Sequence, residues 1–123
     1  MDLTNFSTNE RQALLDLFIM GMYADGHLAS AEDAHARRLL AEMGHHSLTE
    51  RNYALDAAIT RVRRHAPSLS NYRTYVAALA HAFRSQEQRA QVYSLIADLM
   101  GSDSEIAPPE QKFLAIIKEV FEM

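Results

Sequence analysis

Apolar residues recur at three-and-four spacing along the whole chain, the period of a helix with one buried face. Ala13, Leu14, Leu17, Phe18, Gly21 and Met22 make the first such set, and Ser7-Thr8-Asn9-Glu10 before it matches a capping box. This predicts a helix from about residue 8 to Ala24, stopped at Asp25-Gly26, where glycine supplies a left-handed residue. Ser30 and Asp33 open a second segment carried by Ala36, Leu39, Leu40 and Met43, and Gly44 ends it. Ser47-Leu48-Thr49-Glu50 is another capping box, followed by Tyr53, Ala57, Ile59 and Val62 as far as His65, and Pro67 blocks continuation. A fourth helix is expected from about Ser70 through Tyr72, Val76, Leu79, Ala80 and Phe83. The fifth starts at Ser85-Gln86-Glu87-Gln88 and runs through Val92, Leu95, Ile96 and Met100. Pro108 and Pro109 stand where a first turn tolerates them, before the broad apolar face of Phe113, Leu114, Ile116, Ile117, Val120 and Phe121. No strand alternation flanked by hairpin signals occurs, so the expected fold is an all-α bundle of about six helices.

The first and last thirds of this pattern echo each other. A constant shift of 78 residues carries Asp25, Leu28, Ala29 and Glu32 onto Asp103, Ile106, Ala107 and Glu110. It also carries Leu14, Leu17, Phe18 and Met22 onto Val92, Leu95, Ile96 and Met100, and Leu39 and Met43 onto Ile117 and Phe121. Apolar falls on apolar at helical spacing. The reading is one domain over residues 1–123, with pseudo-repeated helix-turn-helix units at about 8–44 and 86–122 and a helical pair at 47–84 between them.

Charge follows the same division. Residues 1–60 carry four basic and nine acidic side chains, 61–89 six and one, and 90–123 two and six, behind a net charge of -4. The repeated units are acidic and the middle is basic, which describes either a dipolar surface that selects a partner or complementary parts of one bundle. The absence of cysteine excludes disulfides, thiolate metal sites and cysteine nucleophiles. No apolar run approaches the length of a membrane span and no signal-peptide pattern opens the chain, so the expectation is a cytoplasmic protein.

The candidate chemistry sits in the two turns of the repeat. Asp25 follows the carbonyl end of one helix and Glu32 opens the next; Asp103 and Glu110 repeat the arrangement, and Glu105 adds a carboxylate. Carbonyl oxygens and carboxylates within one turn suit a hard cation such as Ca²⁺ or Mg²⁺. The same residues also serve as a common turn dipeptide and a first-turn carboxylate that favours the helix dipole, with no metal. The loop is too short for an EF-hand and lacks its intermediate ligands and central glycine. Glu32 and His35 have the Glu-x-x-His spacing of carboxylate-bridged di-iron bundles, but Phe113 stands where the echo would need a histidine. His27 lies in the first acidic turn, and the pair His45-His46 follows Gly44 in a helix-ending loop.

Arg61, Arg63, Arg64 and His65 suit the negative end of their helix; with Arg73, Arg84 and Arg89 they raise nucleic-acid binding. An acidic chain with only two lysines and with capping or surface roles open to those arginines argues against it. No Gly-rich phosphate loop and no nucleophile-and-base arrangement is present, so the expectation is a non-enzymatic protein.

Tyr23-Ala24-Asp25-Gly26-His27-Leu28 with Glu32 resembles the Ala-Asp-Gly-x-hydrophobic…Glu signature of the TerB-like tellurite-resistance proteins, and Asp103-Ser104-Glu105-Ile106 with Glu110 resembles its second copy. The second copy departs from the pattern at Ser104, where glycine is preferred, and at Pro109. The resemblance implies an all-α domain of two similar helical units and a bacterial cytoplasmic protein tied to tellurite and related stress systems. It further implies other proteins of such a system as partners, and divalent metal held by Asp25, Glu32, Asp103 and Glu110. Tellurite is a soft oxyanion whose chemistry runs through thiols, so a cysteine-free chain is expected to act on it indirectly, by sensing a cation or organising partners. The alternative is a protein-protein interaction scaffold with no metal, whose partner surface is the basic middle.

Overall fold

The computed structural model describes residues 6–22, 38–42, 44, 47–101 and 108–122, with the side chains of 22, 69, 99–101 and 108–110 outside that description. The architecture is an all-α bundle of six helices: α1 (Thr8–Met22), α2 (described over 38–42), α3 (Leu48–His65), α4 (Leu69–Ala80), α5 (Gln86–Gly101) and α6 (Pro108–Val120). Among the described residues there is no strand.

α1 is the axis of the bundle, packing against α3, α4, α5 and α6. Every residue from 13 to 21 is buried, so the helix has no solvent face over that stretch. The sequence pattern had suggested an ordinary amphipathic helix with its face on Leu14, Leu17 and Phe18. Leu15, Asp16, Ile19 and Met20 are buried as well, as befits a helix enclosed by neighbours on all sides. Around it lie Leu39 and Leu40 of α2, Val76 of α4, Val92 and Ile96 of α5, and Phe113 and Ile117 of α6, each fully withdrawn from solvent.

The buried face of α3 also differs from expectation. Leu55, Ala58 and Val62 are its core residues, whereas Tyr53 is 78% exposed and Ala57 is only half-buried. Packing onto α1 selects the face carrying Leu55, which shares only Val62 with the expected one.

The helix starts obey local chemistry. Ser7 Oγ accepts from the Glu10 amide at 3.2 Å while Glu10 Oε1 accepts from the Ser7 amide at 2.7 Å, a reciprocal box at the head of α1. Ser47 and Ser85 accept from the Glu50 and Gln88 amides at 3.1 and 3.0 Å, opening α3 and α5. α4 begins one residue earlier than Ser70 and is flanked by Ser68, which bonds Ser70 and Asn71 side chains instead of a backbone amide. The box of α1 meets that of α5 directly: the Gln88 side-chain amide donates to the Glu10 carboxylate, two residues separated by the repeat shift of 78.

At this end an aromatic cluster joins four segments. Phe83 lies 6.5 Å from Phe6 and 6.1 Å from Phe121, between ring centroids. Arg89 donates to the Phe83 and Ala80 carbonyls at 2.8 and 3.3 Å, closing α4, and sits 5.8 Å from the Phe121 ring centre. Arg73 pairs with Glu119 on the exposed surface at 2.7 Å. These two arginines therefore have the capping and surface roles anticipated for them.

Gly44 ends α2 with φ +101, its amide donating to the Ala41 carbonyl at 3.1 Å. A Cβ there would touch nothing within 4 Å, so the glycine is required by its torsion and not by space. Gly44→Ala is expected to lower stability by about 1–2 kcal/mol, measured by chemical denaturation. The Glu10 carboxyl is held below its ordinary range, chiefly because the Ser7 amide donates to it, so its contribution is present above pH 4.5 and is lost as pH falls through the depressed pKa. Glu10→Gln should therefore lower the thermal midpoint at pH 7, and the difference from wild type should shrink below pH 4.5.

Candidate functional site

Asp16, in the middle of α1, is the one buried charged residue among the described residues. An unpaired carboxylate there would carry a desolvation cost of several kcal/mol, and two neighbouring helices offset it. Arg61 of α3 reaches it sideways: Nε lies 3.2 and 3.0 Å from Oδ1 and Oδ2, and Nη2 lies 2.8 Å from Oδ1. Tyr75 of α4 donates its hydroxyl to Oδ2 at 2.6 Å. The carboxylate raises the Arg61 pKa by accepting these bonds, and burial pushes the Tyr75 phenol well above its usual value, with the Asp16 charge adding to the effect. His65 stacks on the Tyr75 ring, 5.1 Å between centroids, and is itself exposed.

Arg61 was expected to be a helix-end cation like Arg63 and Arg64. It instead turns inward, while Arg63 and Arg64 are exposed. Periodicity held a weak clue, since an Asp within an otherwise apolar run of a helix needs a partner. Which of the chain's arginines supplies it depends on how α3 crosses α1.

Two cavities flank this cluster and share Gln12 and Arg61. The larger, about 460 Å³, lies between α1 and α3 and reaches Gly44; Leu15, Ala54 and Ala57 line it on the apolar side, and Arg11 and Tyr53 elsewhere. The smaller, about 220 Å³, opens between α1 and α4 beside Asp16 and Tyr75.

Asp25, Glu32, Asp103 and Glu105 fall outside the described residues, as do His27, His35, His45 and His46; Glu110 is in the first turn of α6, its side chain outside the description. Asp98 is exposed on α5, and His81 is exposed at the C-terminal end of α4. Among the described residues no group of three or more His, Asp or Glu could hold a metal ion. Glu42 of α2 has a buried Oε2 that makes no hydrogen bond among the described residues. No helix among the described residues is long and apolar enough to cross a membrane.

The sequence matches the family described as tellurite resistance protein TerB over residues 11–123. The chain belongs to the TerB family. Curated proteins and solved structures provide no match to it. Its matched region includes the whole Asp16 cluster and both acidic turns.

The Asp16 cluster can position helices and orient a guanidinium, and it has no nucleophile to activate. Arg61→Ala is expected to cost about 3 kcal/mol by leaving Asp16 buried with Tyr75 alone. The double variant Asp16→Leu, Arg61→Met should recover most of that loss, as read by urea denaturation of the two single variants and the double.

Proposed function

We propose that this TerB chain is a cytoplasmic bacterial module of tellurite and chemical-stress resistance that binds a divalent cation through its acidic inter-helix turns. Membership of the TerB family over residues 11–123 carries the reading. Asp25 and Glu32 would hold one ion, and Asp103, Glu105 and Glu110 a second and weaker one. The donor set is all oxygen, with no thiolate anywhere in the chain, which fits Ca²⁺ or Mg²⁺ better than a soft metal. A bound ion would neutralise carboxylates brought near helix carbonyls, and so couple cation level to the spacing of the helices it joins.

The duplicated arrangement adds support. Positions related by the 78-residue shift are buried in pairs, Leu14 with Val92, Phe18 with Ile96 and Leu39 with Ile117, and Ser7 and Ser85 both cap. We read α1–α2 and α5–α6 as one helical pair used twice, each copy retaining its acidic turn. Partners of the module are other proteins of the same stress system. A metal-free scaffold is the second reading, favoured by the exposed Arg63 and Arg64 at the end of α3.

Titration of the full chain with Ca²⁺ and with Mg²⁺, followed by amide chemical shifts, separates the two. Saturating shifts confined to residues near 25–32 and 103–110, lost respectively in Asp25→Ala and Asp103→Ala, are expected. A flat response to both ions would sink cation binding and leave the scaffold.

A further inference from the structure

The cavity between α1 and α3 has a chemistry of its own, separate from the acidic turns. Its volume of about 460 Å³ is that of a pocket for a small metabolite, which commonly ranges over roughly 300–1,000 Å³. Arg11 and Arg61 both line it, and none of its described lining residues is acidic. Leu15, Ala54 and Ala57 give it an apolar wall, and the Tyr53 ring, 78% exposed, stands at its edge.

Arg61 is the informative residue. Asp16 engages Nε and Nη2, and among the described residues Nη1 makes no hydrogen bond. The guanidinium is planar and carries five N–H donors, so fixing one edge also fixes the direction of the others. Asp16, itself 2% exposed and further held by Tyr75, thus acts as a positioning residue. It orients an arginine whose side chain keeps 32% exposure and lines the cavity. Nothing in bundle stability requires this device, since well-packed apolar residues commonly replace a buried ion pair without loss. A pre-oriented guanidinium beside an apolar wall matches a carboxylate attached to a flat hydrocarbon body.

We propose that the α1–α3 cavity binds a small aromatic carboxylate, its carboxylate on Arg61 with Arg11 adding positive potential, its ring between Tyr53 and the wall formed by Leu15 and Ala57. An inorganic oxyanion would satisfy the arginine and leave that wall unfilled.

The test uses three probes on the full chain at pH 7, read by amide chemical shifts: 3-phenylpropionate, 3-phenylpropanamide and inorganic phosphate. The carboxylate is expected to give saturating shifts along the first half of α1 and in α3 from Tyr53 to Arg61. The amide, lacking charge, and phosphate, lacking the ring, should each bind at least about tenfold more weakly. Arg61→Lys should lower affinity by a similar factor because the lysine ammonium has no planar fork. Tyr53→Ala, at a site too exposed to affect folding, should weaken binding of the carboxylate and leave that of phosphate unchanged. Equal binding of carboxylate and amide, no saturable shift at millimolar carboxylate, or unchanged affinity in Tyr53→Ala would each overturn the proposal. Phosphate binding as tightly as the carboxylate would overturn it too, leaving a plain oxyanion site.

Discussion

The register of α3 and α4 on the central helix is set by a carboxylate buried in the middle of that helix. Asp16 sits where α1 has no solvent face, so its charge must be met by groups that other helices deliver. Arg61 and Tyr75 come from α3 and α4, and both must lie in register with α1 for the three bonds to Arg61 and the one to Tyr75 to form. A slip of α3 by one residue along α1 would swing Arg61 by about 100° and strand the charge. Apolar packing alone tolerates such slips more readily, because methyl groups have no directional requirement.

The same interaction explains how the arginines divide. The basic middle segment supplies one cation to the core, one to the α4 carbonyl end through Arg89, one to a surface pair through Arg73, and leaves Arg63 and Arg64 exposed. Two of its six arginines, Arg61 and Arg73, thus join the middle helices to carboxylates of α1 and α6.

Away from Asp16, the head of α1 is tied to the head of α5. Each helix begins with a serine cap, and the two third residues, Glu10 and Gln88, bond to each other. The aromatic cluster of Phe6, Phe83 and Phe121 covers the same end with apolar surface. Polar caps and aromatic rings act on different groups here. The caps satisfy orphan amides, and the rings exclude water from the junction of four segments.

The sequence by itself determined the all-α class and the serine caps that open α1, α3 and α5, because capping bonds and apolar period act within a few residues along the chain. Within the apolar sets it assigned to α4 and α6, Tyr72, Val76 and Ala80, then Phe113, Leu114, Ile117 and Phe121, are buried. The TerB signature at Asp25-Gly26 led to the family. Tertiary structure alone decided that α1 is enclosed, that α3 buries Leu55 and turns Tyr53 outward, and that Arg61 belongs to the interior. Those outcomes rest on contacts between residues 45 and 59 positions apart, and a local pattern carries no term for a partner that only the crossing of two helices brings within 3 Å.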